Sequence, residues 1–141
     1  MKPIYTAEIT SVGGRKGHVE SSDGALKLDL TIPPPDGRPA RLTNPEQLFA
    51  AGYAACFASA MEHVAREQKL DIGQVSIVNR VTLFNDDAGT FRLAVHMDVT
   101  VPNLDQAAAE KLVGEGHQVC PYSHATRGNI QVDLTAHGGK S

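Results

Sequence analysis

Residues 44–60 read NPEQLFAAGYAACFASA, and this stretch decides the fold. Asn44 is a good helix N-cap, Pro45 suits the first helical position, and Gln47 stands at the spacing of a capping box. These signals predict a helix that begins at Asn44-Pro45 and runs to about Lys69. Its middle is apolar and small nearly all round, so we expect it to be buried on most sides and to let another helix approach closely.

Strands and a second helix are predicted on both sides of this helix. Apolar and alternating runs predict the strands, turn-forming residues at 85–89 join two of them into a hairpin, and helical spacing predicts the helix. The predicted strands cover residues 4–12, 25–32, 75–84, 91–101 and 130–135, and the second helix covers about 105–118. This order indicates an α+β fold with mainly antiparallel pairing.

Length, charge and hydropathy narrow the class of protein. A chain of 141 residues favours a single domain, 1–141, with its own core. The net charge of −3 disfavours a nucleic-acid-binding protein. No apolar run is long enough to span a membrane, and the N-terminus lacks the apolar segment of a signal peptide. We therefore expect a cytoplasmic protein that binds neither nucleic acid nor membrane.

The two cysteines are the first candidates for chemistry. Cys56 lies in the middle of the apolar helix, where it is either a small buried hydrophobe or a thiol made reactive by a nearby cation. Cys120 precedes Pro121 at a helix end, an unusual place for a cysteine that only packs. With His117 and His124 it also has a spacing that zinc could use, Cys56 being the fourth ligand. An inert pair, a redox pair and a metal site stay open on these residues.

Two charged residues have a functional and an ordinary interpretation. Arg15 lies in a glycine-rich turn at residues 13–17, where it is either a solvated side chain or a guanidinium directed at an anion. Glu46 lies in the first turn of the main helix, where the helix dipole favours an acid in any case. The residue types alone do not decide between these interpretations.

Two long motifs resemble those of the OsmC/Ohr family, in particular its organic hydroperoxide resistance branch. The first is NPEQLFAAGYAACF at residues 44–57, and the second is VCPYSHATRGN at residues 119–129. The resemblance extends from the early Gly-Gly-Arg turn to the last strand. It implies an OsmC-like fold, with curved antiparallel sheets packed around central helices in an intertwined homodimer.

The resemblance also implies an activity, a thiol-dependent peroxidase that reduces organic hydroperoxides to alcohols. It implies that Cys56 is the peroxidatic cysteine, that Cys120 resolves it into a disulfide, that Arg15 pairs with the thiolate, and that Glu46 is the acidic partner of Arg15. It implies no metal and no bound cofactor, with dihydrolipoamide or a lipoylated protein as the external reductant. The alternative is a thiol sensor or lipid-binding module that forms the disulfide without turnover.

Helix geometry constrains where Glu46 can act. Glu46 and Cys56 stand ten residues apart, which on a straight helix is about 15 Å and not on one face. Either the helix breaks near Gly52, or Glu46 acts at the site of the partner subunit. We predict the second, because the small-residue helix also requires a close helical neighbour.

Overall fold

A computed structural model describes residues 1–140 and divides into two compact units. The first unit is Met1–Leu48, and the second begins at Phe49. The elements belong to an α+β fold, so the predicted class is confirmed. That the whole chain forms one domain stays a prediction.

The first unit contains a three-stranded antiparallel sheet in the order β1-β2-β3. Its strands are β1 (Ile9–Val12), β2 (His18–Ser21) and β3 (Lys27–Asp29). The predicted strands at 4–12 and 25–32 were too long, and β2 was not predicted. Its sequence, HVES, carries no apolar alternation, and it becomes a strand through its pairing with β1 across the glycine-rich turn.

The main helix, α1 (Pro45–Glu67), has the predicted start and runs without interruption through Gly52. The Asn44 side chain accepts from the backbone N–H of Gln47, which is the expected cap. The helix ends slightly before the predicted limit, and Lys69 adopts a left-handed backbone with φ of 57°. A helix break is therefore not the way in which Glu46 and Cys56 are brought to one site.

The second unit contains a sheet of order β4-β5-β6 covered by helices. After α1 its elements are β4 (Ser76–Asn85), β5 (Phe91–Asp105), α2 (Gln106–Val119), α3 (Pro121–Thr126) and β6 (Gln131–Lys140). The inward side chains of β5 pack with one face of α1 and α2 to form the aliphatic core. The core members on these elements include Met61, Val64, Val95, Met97, Val99, Val101, Leu112 and Val113.

The pairing of the last strand differs from the expectation. β4 and β5 form the predicted antiparallel hairpin, but β5 and β6 are parallel. Parallel neighbours require a crossover connection, and α2 with α3 supplies it. The sequence analysis also missed α3, although Pro121 stands at its first position, where proline is favoured. Within residues 1–140, every helix is too short or too polar to pass through a bilayer.

Candidate active site

The two cysteines meet inside the second unit. α1 presents Cys56 half-buried, and the junction of α2 and α3 presents Cys120 fully buried. Both thiols are free, and the Cys120 thiol donates to Cys56 Sγ with 3.6 Å between the sulfurs. A disulfide has a sulfur separation of about 2.05 Å. The pair is therefore in contact but unbonded, and a small movement suffices to join it.

Cys120 owes its position to the change from one helix to the next. Its N–H donates to the Gly116 carbonyl and closes α2, while its own carbonyl accepts from His124 N–H in the first turn of α3. Between these bonds Cys120 has an extended backbone, with φ of −61° and ψ of 123°. The side chain is thereby directed from the helix junction toward α1.

The surroundings of Cys56 shift the pKa of its thiol in opposite directions. Burial raises the pKa of this thiol, and the adjacent Cys120 thiol raises it further. The backbone N–H of Tyr122 forms a hydrogen bond with the same sulfur and lowers the pKa. The net shift is upward. A reactive thiolate at Cys56 therefore requires a cation in addition to this N–H.

Arg15 and Glu46 form a two-armed ion pair inside the first unit. Gly13 and Gly14 take positive φ angles of 86° and 60°, and the short turn Gly14–Lys16 that follows carries Arg15. Its Nη1 and Nη2 donate to the two carboxylate oxygens of Glu46 at 2.8 and 2.6 Å. This bonding lowers the pKa of Glu46 and raises the pKa of Arg15.

The structure thus brings the four predicted site residues together as two pairs, one in each unit. Arg15 pairs with Glu46, and Cys56 contacts Cys120. The guanidinium is held by both of its terminal nitrogens, so its orientation is fixed. The action of this pair on a cysteine stays a prediction, as do the catalytic roles of the four residues.

A polar cluster that was not predicted from the sequence joins α1 to α3. Tyr53 Oη is 2.8 Å from Ser123 Oγ and 3.0 Å from Thr126 Oγ1, and His117 Nδ1 is 2.8 Å from the same Ser123 oxygen. The signal that could have found it is the tyrosine inside the apolar run of α1, because a buried tyrosine hydroxyl usually has a partner. Burial and the positive charge of Arg127 lower the pKa of His117.

The metal alternative finds no support in the side-chain arrangement. Within the described part of the chain, no three His, Cys, Asp or Glu side chains lie close enough to hold a metal ion. His117, one of the candidate ligands, bonds to Ser123 instead.

The family model for OsmC-like proteins matches residues 37–135, which include α1, both cysteines and most of the second unit. The chain belongs to the OsmC family. The resemblance noted in the two cysteine motifs is thereby confirmed.

Relatives within this family are organic hydroperoxide resistance proteins. One from Xanthomonas axonopodis pv. citri is 50% identical over 136 residues, which is 95% of each chain. The OhrB protein of Bacillus subtilis is 47% identical over 132 residues, covering 93% of this chain and 96% of its own. The crystal structure of an organic hydroperoxide resistance protein from Legionella pneumophila is 49% identical, with a TM-score of 0.89 over 95% of this chain and 98% of that chain. The predicted OsmC-like fold is confirmed, whereas the homodimer stays a prediction.

Proposed function

We propose that this protein is a cysteine-based peroxidase that reduces organic hydroperoxides to alcohols. The observation that carries the proposal is the contact of two free thiols, 3.6 Å apart. Relatives of about half identical sequence bear the name of organic hydroperoxide resistance, which supports the substrate class.

The chemistry proceeds in two steps on this chain. In the first, the Cys56 thiolate attacks the distal peroxide oxygen, the O–O bond breaks, and the alkoxide leaves and takes a proton as the alcohol. Cys56 becomes a sulfenic acid. In the second, the Cys120 sulfur attacks the Cys56 sulfur, a disulfide forms, and the hydroxyl leaves as water. Because Cys120 is already in contact, it removes the sulfenic acid before a second peroxide can oxidise it further.

Arg15, held by Glu46, supplies the positive charge that the first step requires. A guanidinium beside Cys56 would favour the thiolate and stabilise the alkoxide that leaves in the transition state. Glu46 orients the guanidinium through two hydrogen bonds and partly offsets its charge. Its benefit is therefore orientation more than electric field. We further propose a homodimer in which this pair acts at Cys56 of the partner chain.

The surroundings of Cys56 favour alkyl and aryl hydroperoxides over hydrogen peroxide. On this stretch of α1 and α3, the ring of Phe49 is half-buried and that of Tyr122 is exposed, with their ring centres 6.4 Å apart. Contact with such surfaces buries the apolar substituent of an organic hydroperoxide and favours its binding, whereas hydrogen peroxide has no apolar substituent to bury. A small dithiol such as dihydrolipoamide, or a lipoylated protein, is proposed to return the disulfide to two thiols.

The decisive experiment follows the consumption of cumene hydroperoxide by reduced protein with dihydrolipoamide as reductant. Wild type is expected to turn over many equivalents. Cys56→Ser should lose peroxide consumption altogether. Cys120→Ser should consume about one equivalent as a sulfenic acid and then fail to recycle through the disulfide. Hydrogen peroxide in place of cumene hydroperoxide should react more slowly.

Three outcomes would contradict the proposal. A wild type that forms the disulfide but does not turn over with the dithiol is a sensor rather than a peroxidase. A wild type whose thiols titrate as free yet do not react with the peroxide has neither function. Equal rates with the two peroxides would remove the preference for organic substrates.

A further inference from the structure

We propose that this polar cluster is a positioning device for the second catalytic step, with Ser123 at its centre. The cluster consists of His117, Ser123, Tyr53 and Thr126. It fixes α3 against α1 and thereby sets the approach of Cys120 and of the Tyr122 N–H to Cys56. The inference rests on the proposed peroxidase function and assigns further positioning residues to it.

The cluster stands close to the two sulfurs along both chain segments that carry them. Tyr53 precedes Cys56 by three residues on α1, and Ser123 follows Cys120 by three residues at the start of α3. Residues three apart on a helix lie on one side of it. The Tyr53–Ser123 hydrogen bond of 2.8 Å thus lies next to the sulfur contact and joins the same two chain segments.

The helix α3 needs such a bond to hold its position. It has only six residues, far fewer than the 12 to 15 or so that give even marginal stability to an isolated helix. Its position must therefore come from contacts with the rest of the unit. Tyr53 and Ser123 are both fully buried, so their hydrogen bond is shielded from competing water.

The cluster also satisfies its own hydrogen-bonding groups. With a proton on His117 Nδ1, each group can donate once along the series from His117 to Ser123, Tyr53 and Thr126. The series ends at the Ser123 carbonyl, 3.3 Å from Thr126 Oγ1. With the proton on Nε2 the series can run in the opposite direction and end at His117 Nδ1. Either tautomer of the ring keeps the bonds through Ser123, as expected of a structural brace.

Deleting the tyrosine hydroxyl alone tests the proposal. Tyr53→Phe keeps the ring and removes the bonds to Ser123 and Thr126. We expect disulfide closure to slow by about tenfold, the size of effect that one buried hydrogen bond carries. Cys56 sulfinic acid should accumulate during turnover because closure no longer outruns a second oxidation. The pKa of the Cys56 thiol should rise, because the Tyr122 N–H is less well placed.

The sulfenic and disulfide forms are counted by mass spectrometry in a quenched time course after one equivalent of cumene hydroperoxide. The sulfinic form is counted in a second time course with excess cumene hydroperoxide and dihydrolipoamide. Ser123→Ala is the second variant and should behave like Tyr53→Phe. Tyr5→Phe is the matched control, since it removes the same hydroxyl from an exposed tyrosine. Far-UV circular dichroism establishes that each variant is folded.

A second readout separates this inference from the peroxidase function. The equilibrium between the Cys56–Cys120 disulfide and oxidised and reduced dithiothreitol needs no peroxide. It should shift toward the dithiol by about tenfold in Tyr53→Phe and Ser123→Ala, and not in Tyr5→Phe. If folded Tyr53→Phe matches wild type in both the closure rate and this equilibrium, the cluster does not position the cysteines. A peroxide-inert wild type with the expected equilibrium shift would overturn only the proposed function.

Discussion

At the scale of single residues, the Cys56 sulfur experiences two opposing influences within its own unit. Burial beside a second thiol favours the neutral form, while the Tyr122 N–H favours the thiolate. The first influence is the larger, so the pKa lies above that of an ordinary thiol. The reactivity of Cys56 consequently depends on charge brought to it by another part of the protein, and Arg15 is the proposed source.

His117 makes the stability of the protein depend on pH. Its pKa in the folded state lies below the usual value of about 6.5, because of burial and of the nearby Arg127. The unfolded chain therefore binds a proton at a higher pH than the folded chain. The stability contributed by neutral His117 is present above about pH 6.5 and is lost as the pH falls through the folded pKa.

Urea unfolding of the reduced protein between pH 7.5 and 5 checks this expectation. The free energy of unfolding of wild type should fall over this range by more than that of His117→Asn, which has no titrating ring. The other five histidines are common to both proteins, so their contributions cancel in the comparison. A wild type that gains stability relative to the variant as the pH falls would show that the folded pKa is raised instead.

The four candidate site residues were noticed in the sequence by residue type, but only the resemblance to the OsmC/Ohr family favoured a functional interpretation, because each also had an ordinary one. Cys56, Cys120, Arg15 and Glu46 could be selected in this way. The Tyr122 donor could not, because it is a backbone group that any residue type except proline would supply. Ser123 and Thr126 are common in turns, and nothing in their spacing indicates that a tyrosine about 70 positions earlier completes their hydrogen bonds.

At the scale of elements, Gly116 of α2 lies against Met61 of α1. A Cβ at this position would lie 2.6 Å from Met61 Cγ, inside any permitted contact distance. Gly114 lies on the same helix, and a Cβ there would meet nothing within 4 Å. These two glycines form a matched pair, since the gain in helix propensity on substitution by alanine is the same for both.

Gly114→Ala should stabilise the protein by up to about 1 kcal/mol, because alanine is the better helix former. Gly116→Ala should be less stable than Gly114→Ala by about 1–3 kcal/mol, since the added methyl overpacks the helix crossing. Thermal and urea unfolding of the two variants measure the difference. Equal stabilities would mean that Met61 moves aside without cost and that the crossing is loosely packed.

The predicted elements were most accurate where one pattern dominates. The capped start of α1 and the β4–β5 hairpin have strong local signals, and both are present as predicted. β2 and α3 are short and owe their form to neighbours, so local pattern could not reveal them. The parallel direction of β6 follows from the path of α2 and α3 across the sheet, which no periodicity in the strand itself encodes.

At the scale of the whole molecule, the proposed dimer predicts that active sites are shared between chains. One chain would carry Cys56→Ser with an intact Arg15–Glu46 pair. The other would carry Arg15→Ala and Glu46→Gln with intact cysteines. If the pair acts at the partner's Cys56, each homodimer is inactive, whereas the mixed dimer recovers one working site.

The mixed dimer is made by refolding the two differently tagged chains together and purifying through both tags. Cumene hydroperoxide consumption should return to about half of the wild-type rate per dimer. The two purified homodimers, mixed without refolding, are the control. A mixed dimer as inactive as its parents, with both chains folded, would show that the pair acts within its own chain.

Family membership was predictable at this scale because the motifs at residues 44–57 and 119–129 are long and specific. The homodimer could not be derived from the residues alone. An apolar helix indicates that another surface covers it but does not identify that surface. Because α1 is unbroken, a helix break near Gly52 does not bring Glu46 to Cys56. Action of Glu46 at the partner subunit therefore remains the prediction.

The wide separation of the two cysteines along the chain affects the stability of the oxidised protein. They stand 64 positions apart, so a bond between them ties nearly half of the 141-residue chain into one loop. Closing a loop of this length restricts the unfolded chain and opposes unfolding by about 4 kcal/mol. Under the proposed chemistry, the disulfide form that precedes reduction is therefore the form that best resists heat and proteases. Exposure to peroxide would therefore make the protein more resistant to unfolding and proteolysis until the disulfide is reduced and activity returns.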